Sequence, residues 1–231
     1  MSKVSLIRIL IALFFVMLLN SCGGGGVVLI PLPNDTFDSY TTFPTAPWSV
    51  YDNSDTANWT ITNSGGDKAA RYNPASAGYS ALLNDNFWSG FDHSVIAKIK
   101  VIGPANSGFG LMLLATGTNP NTNYYQLYIN NQTAQIYFLK VVNGLSFPLG
   151  SAIAFPGGFD PTAYHTYKFS ITGAQTTLAT LTGTIDGSYF TITTADSYSI
   201  SGSAILTWGK TGFCFNNVDD GSLTSFQVTE P

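Results

Sequence analysis

Side chains able to do acid–base or nucleophilic chemistry are scarce in this 231-residue chain. The only glutamate, Glu230, stands one residue from the C-terminal end, and the two histidines, His93 and His165, are far apart in sequence. Hydrolysis of a glycosidic bond needs two carboxylates flanking that bond, whether configuration is kept or inverted. The aspartates stand mostly in turn-forming contexts: Asp52-Asn53, Asp85-Asn86, Asp186-Gly187 and Asp219-Asp220-Gly221. No serine sits in a nucleophile-elbow pattern, and no Cys/His cluster has zinc-ligand spacing. His165 reads as a packed strand residue, and Cys214, in Gly212-Phe213-Cys214-Phe215, as a small buried hydrophobe. The residue supply therefore leans away from catalysis. A divergent hydrolase or lyase working through aspartates stays as the alternative.

The better-furnished chemistry is polar recognition by aromatic and amide groups. In Tyr124-Tyr125-Gln126-Leu127-Tyr128-Ile129, period-two alternation gives Tyr125, Leu127 and Ile129 to a core face. Tyr124, Gln126 and Tyr128 then share the opposite face. Tyrosine rings offer flat apolar surfaces with a polar handle, and a carboxamide both donates and accepts hydrogen bonds. Sugar hydroxyls and ring faces are matched by such a set. Cross-strand packing in a chain with 14% aromatics would use the same pattern. Trp88, in Asn86-Phe87-Trp88-Ser89-Gly90, is a further aromatic, expected on a loop.

Strands must position these groups. Val95, Ala97, Ile99 and Val101 alternate with Ile96, Lys98 and Lys100, and His165, Tyr167, Phe169 and Ile171 alternate with Thr166, Lys168 and Ser170. Gly108 to Ala115 is apolar on both faces and predicts a central, doubly covered strand. Shorter strands are expected at Trp48–Tyr51, Trp59–Thr62, Lys68–Tyr72, Tyr79–Leu83, Ala134–Val142, Thr211–Phe215 and Leu223–Val228. Asp186-Gly187 predicts a two-residue hairpin between Thr180–Ile185 and Ser188–Thr193. No stretch beyond Cys22 keeps a helical period. The fold class is an all-β antiparallel sandwich of about a dozen strands.

The start of the chain differs from the rest. Lys3 and Arg8 precede the apolar run Ile9 to Leu19, which is too short for the roughly 20 residues of a spanning helix and fits a secretory signal peptide. Leu19-Asn20-Ser21-Cys22 resembles the bacterial lipobox, which implies removal of residues 1–21 and acylation of Cys22. Two or more acyl chains give stable attachment to a membrane. Gly23, rather than aspartate, after the cysteine implies the outer membrane. Residues 22–34, with Gly23 to Gly26 and two prolines, form a tether, and residues 35–231 form the domain. The chain from Cys22 onward has 7 Lys+Arg against 13 Asp+Glu, net −6. That balance argues against nucleic acid, whose phosphates need clustered cations.

The order of motifs resembles the concanavalin A-like lectin/glucanase superfamily, in particular its laminin-G-like members. The matching pieces are Asp35-Thr36-Phe37-Asp38, the strand Phe91 to Val101, Tyr124 to Ile129, His165 to Gly173, Thr184-Ile185-Asp186-Gly187 and Gly212 to Val228. Ala163-Tyr164 stands where the family has tryptophan before the histidine. The resemblance implies a two-sheet jelly roll with adjacent first and last strands and a concave face open to glycans. It places Tyr124, Gln126 and Tyr128 on a central concave strand, where sugar-processing relatives often carry Tyr-Glu instead of Tyr125-Gln126. It also implies calcium as a candidate cofactor, with Asp35, Asp38, Asp219 and Asp220 as oxygen donors; solvated loop acids are the other reading. The expectation is a membrane-anchored lectin-like lipoprotein with a polysaccharide ligand, or alternatively a structural or protein-interaction component of the cell envelope.

Overall fold

A computed structural model describes residues 34–51, 57–64, 66–75, 78–90, 92–104, 107–118, 121–131, 133–155, 157–160, 162–174, 178–187, 190–196 and 204–229. The leader, Cys22, the glycine tether and Glu230 lie outside them. Sixteen strands and no helix occur among the described residues. They are β1 (Asn34–Asp35), β2 (Trp48–Tyr51), β3 (Trp59–Ser64), β4 (Asp67–Tyr72), β5 (Gly78–Ser89), β6 (His93–Ile102), β7 (Gly108–Thr116) and β8 (Asn123–Asn130). The second half adds β9 (Gln135–Val142), β10 (Leu145–Pro148), β11 (Ile153–Ala154), β12 (His165–Thr172), β13 (Ala179–Ile185), β14 (Phe190–Asp196), β15 (Gly209–Val218) and β16 (Asp220–Thr229).

Two eight-stranded antiparallel sheets result. Sheet A runs β14-β13-β12-β6-β16-β4-β3, with β1 pairing on β16; sheet B runs β10-β9-β8-β7-β15-β5-β2, with β11 pairing on β9. Alternation decides which side chains lie between them. Val95, Ala97, Ile99 and Val101 of β6, Tyr167, Phe169 and Ile171 of β12, and Tyr125, Leu127 and Ile129 of β8 are all buried. The Val, Leu, Ile and Phe side chains among them each contribute about 1.5–3 kcal/mol when fully removed from water. Phe109 meets Tyr167 edge-on at 4.7 Å between ring centroids, and Trp48 meets Phe226 at 4.8 Å, so rings of sheet B interlock with rings of sheet A.

The central strand behaves as its composition predicts, because residues 108–115 of β7 are buried on both faces. Three expectations change. The Asp186-Gly187 connection is longer than two residues: Ile185 pairs with Phe190, so residues 186–189 make the link. Asp85-Asn86 is not a turn, since β5 continues through it to Ser89. Asn84 pairs with Thr211 and Trp88 with Lys210, so residues 85–87 are extra in β5 and form a bulge. Asp85 then points out of the ladder and is held by Lys210 and by the Ser49 hydroxyl. Nor is Asp219-Asp220-Gly221 a turn: Asp220 and Gly221 belong to β16 and pair with Ile102 and Val101 of β6. Asp219 alone separates the last two strands, where the chain passes from sheet B to sheet A.

Candidate functional site

The registers place Tyr124, Gln126 and Tyr128 on the side of sheet B turned away from sheet A. Their cross-strand partners on β9 are Val141, Leu139 and Tyr137, and on β7 Tyr128 faces Gly110 while Gln126 faces Met112. All three expected residues line one open cleft of about 260 Å³, together with Tyr79, Leu139, Ser146, Cys214 and Asn216. Its volume is close to the lower end of small-molecule sites, about 300 Å³.

Glycine shapes the floor. A Cβ on Gly110 would lie 2.0 Å from Gln126 Nε2, and one on Gly108 would lie 2.7 Å from the Tyr128 hydroxyl and 2.5 Å from the Ile129 carbonyl. Without those methyls, the amide and the ring lie down across β7. Gln126 Nε2 donates to Cys214 Sγ at 3.0 Å, and the residue as a whole is only 5% exposed. The Tyr128 hydroxyl accepts from Asn216 Nδ2 at 3.2 Å. Burial pushes the Tyr128 phenol above its ordinary pKa, with the Asn216 bond partly opposing, so it stays neutral and keeps a proton to donate. Cys214 is buried, as expected, but it belongs to the cleft lining rather than to the inter-sheet core.

The two sides of this face differ. Tyr51, Ala81, Leu83, Met112, Ala115 and Cys214 form a buried apolar cluster against which Tyr79 and Tyr124 pack. Tyr124 meets Tyr51 edge-on at 6.1 Å. Cross-strand packing therefore accounts for one flank of Tyr124, while Gln126 and Tyr128 serve the open part. Among the described residues lining the cleft there is no carboxylate. Trp88 falls within β5 rather than on a loop, and its side chain lies outside the described residues.

The aspartates expected at a calcium site are not brought together. β1 does pair with β16, but Asp35 faces Phe226 near the far end, six residues from Asp220 and so about 20 Å along the strand. Asp35 accepts from the Tyr40 hydroxyl and Trp48 Nε1 on one oxygen and from the Phe37 amide on the other. Asp38 takes the Thr36 hydroxyl, and Asp220 pairs bidentately with Arg71 at 2.9 Å for both bonds. Among the described residues no three His, Cys, Asp or Glu side chains are placed to hold a metal. The donor set does not fit calcium.

His165, the first residue of β12, pairs with core-facing Ile99 and packs half-buried at the edge of the inter-sheet face, against Phe159 and Tyr167. Its Nδ1 is 2.6 Å from Asp186 Oδ2 and its Nε2 is 2.7 Å from the Asp160 carbonyl. Burial alone would raise the Asp186 pKa, but bonds from His165 and the Thr166 amide outweigh it and hold the carboxyl below its usual range. The pair fastens the β13–β14 connection to β12.

One buried ionic group escaped the sequence reading. Lys140 projects from β9 on the core face, fully buried, with its Nζ 2.7 Å from Asp196 Oδ2 and 2.7 Å from the Ala204 carbonyl. The Tyr125 hydroxyl donates to the same Asp196 oxygen at 2.6 Å, and burial beside that carboxylate drives the phenol pKa strongly upward. The signal was present, since Ile136, Phe138 and Lys140 alternate on one strand face. A lysine at a core position requires a buried partner.

No family model and no curated protein matches the chain. Solved structures do. A carbohydrate binding module, CBM66 from Bacillus subtilis, superposes with a TM-score of 0.57 at 15% identity, over 80% of this chain and 96% of that one. The fold is that of the concanavalin A-like lectins and glucanases. A Bacillus licheniformis β-glucanase gives 0.56 at 15% identity, over 87% and 98% of the two chains. A mixed-linkage glucan GH16 protein from Bacteroides ovatus, seen with a product, gives 0.59 at 10% identity, over 85% and 99%. The jelly roll expected from motif order is thus the architecture of the domain.

Proposed function

We propose that this domain is a non-catalytic carbohydrate-binding module, held at a bacterial envelope, with the outer membrane as the expected site, by an acylated Cys22. The observation that carries the binding reading is the convergence of Tyr124, Gln126 and Tyr128, with Asn216 and Ser146, on one open cleft. Rings to cover sugar faces and amides and hydroxyls to pair with sugar hydroxyls are all present there. The fold's neighbours include a carbohydrate binding module and a β-glucanase, which supports the same ligand class. Among the described residues lining the cleft there is no carboxylate pair of the kind on which glycosidase chemistry depends, which supports the non-catalytic half. A tether would hold a weak cleft at high effective concentration against neighbouring glycans.

An array of neutral polysaccharides probed with the chain from Cys22 onward tests the binding. At least one glycan should be retained, and Tyr128→Ala or Gln126→Ala should weaken it about tenfold, the loss of one good polar contact. Folded protein that retains nothing, or variants that bind undiminished, would refute the reading. Cys22→Ser should move the protein out of the membrane fraction; continued membrane association would remove the anchor from the proposal.

A further inference from the structure

Sheet A carries a second cleft on its own outer face, chemically unlike the first. Pairing registers set Thr60 of β3, Arg71 of β4, Ser222 of β16 and Lys100 of β6 in one row across four strands. Tyr164 continues that row, since its neighbour His165 pairs with Ile99. Arg71 and Lys100 stand two strands apart, about 9.6 Å at the backbone, with the short, buried Ser222 between them. Two long cations flanking a small residue leave a recess of about 280 Å³, lined also by Thr62, Asn63, Tyr164 and Asp220.

The charges there are arranged rather than scattered. Asp220 grips Arg71 through two parallel bonds and so fixes the guanidinium plane. Lys100 Nζ and Lys98 Nζ lie 5.1 and 5.9 Å from the centre of the Tyr164 ring, which gathers both ammonium groups at one rim. Two cations thus line the cleft with one carboxylate, and Lys98 adds a third at its Tyr164 rim, in a chain whose part from Cys22 onward is net −6. Hydroxyl and amide groups of Thr62, Asn63, Ser222 and Tyr164 complete a lining that is almost wholly polar.

We propose that this cleft binds an acidic sugar residue, a ring bearing a carboxylate or sulfate within an anionic polysaccharide. The cations take the acid group, and the neutral donors and acceptors take ring hydroxyls. A phospholipid surface is less well matched, because Ser222 is recessed and Arg71 is clamped, whereas a flat membrane meets cations that protrude. This site is independent of the cleft on sheet B. With both, the domain grips glycans on opposite faces.

The test is calorimetric titration of the chain from Cys22 onward with tri-galacturonate and a sulfated disaccharide, against neutral tri-galactose, inorganic phosphate and vesicles rich in anionic phospholipid. At least one acidic saccharide should bind, and more weakly as salt rises. Lys100→Gln should reduce its affinity about tenfold and Lys98→Gln/Lys100→Gln further, while Lys210→Gln, an equal charge change on sheet B, should leave it unaltered. Unfolding midpoints of the variants should match the parent, which separates lost binding from lost folding. The proposal is overturned if neither acidic saccharide binds, if Lys100→Gln and Lys210→Gln behave alike, if tri-galactose binds with equal salt and Lys100 dependence, or if vesicles or phosphate bind where saccharides do not. Loss of neutral glycan binding in Tyr128→Ala concerns the other cleft and leaves this result untouched.

Discussion

Replacing Gly110 with alanine should disable the sheet B cleft while leaving the fold almost as stable as before. Gly110 has no positive φ, so alanine suits its backbone, and alanine in a strand interior is worth about 0.5–1 kcal/mol over glycine. The new Cβ would meet Gln126 Nε2, Cδ and Cγ at 2.0, 2.6 and 2.7 Å, all atoms of one movable side chain. Swinging that chain off its preferred rotamer costs about 0.5–1.5 kcal/mol, and its bond to Cys214 is a weak one. The two terms nearly cancel, so the unfolding midpoint should move by no more than about 2–4 °C for a domain of this size. Gly212→Ala is the contrast. There the Cβ would lie 2.0 Å from the Leu82 carbonyl, and backbone has nowhere to swing. Overpacking of that kind costs up to about 3 kcal/mol, or about 6–12 °C. Thermal unfolding by circular dichroism reads both, and titration with a retained glycan should show Gly110→Ala weakened as much as Gln126→Ala. Equal destabilisation by the two glycine substitutions would refute the reasoning, because Gln126 would then be locked into the core and not a yielding wall of a cleft.

Other outcomes follow from the same contacts. Lys140→Met should cost about 3–5 kcal/mol in denaturant unfolding, because it leaves the Asp196 carboxylate buried without its cation, and Lys140→Met/Asp196→Asn should recover much of that; equal losses would show that the two groups are uncoupled. Asp35→Ala should cost about 1–3 kcal/mol by orphaning the Tyr40 hydroxyl and Trp48 Nε1, and by the same amount with calcium or chelator present. Asp186 has a depressed folded pKa, so its stabilisation is present above the ordinary carboxylate value and is lost as pH falls through the folded one. Its carboxyl is 42% exposed, so the effect is small. Asp186→Asn should flatten the stability curve below about pH 4, and an unchanged curve would show that His165 and Thr166 do not favour the ionised form.

Alternation carried most of the fold, because the period-two pattern is a local property that survives into the sheet. Val95 to Val101, Tyr125 to Ile129 and Tyr167 to Ile171 needed no tertiary context to show their buried faces, and the two-sided apolarity of 108–115 marked the central strand. The same pattern put Tyr124, Gln126 and Tyr128 on one face, and the scarcity of carboxylates narrowed the chemistry. Pairing, in contrast, depends on which strands meet and in what register, and that is set by the whole sandwich. Only the tertiary structure placed Gly108 and Gly110 under Tyr128 and Gln126, set Lys140 against Asp196 from 56 residues away, and aligned Arg71, Ser222 and Lys100 in one row. It also separated Asp35 and Asp38 from Asp219 and Asp220, because adjacency of two strands does not say which ends are adjacent. The chain by itself determined which residues could form a binding face; the register of neighbouring strands decided which of them share a cleft.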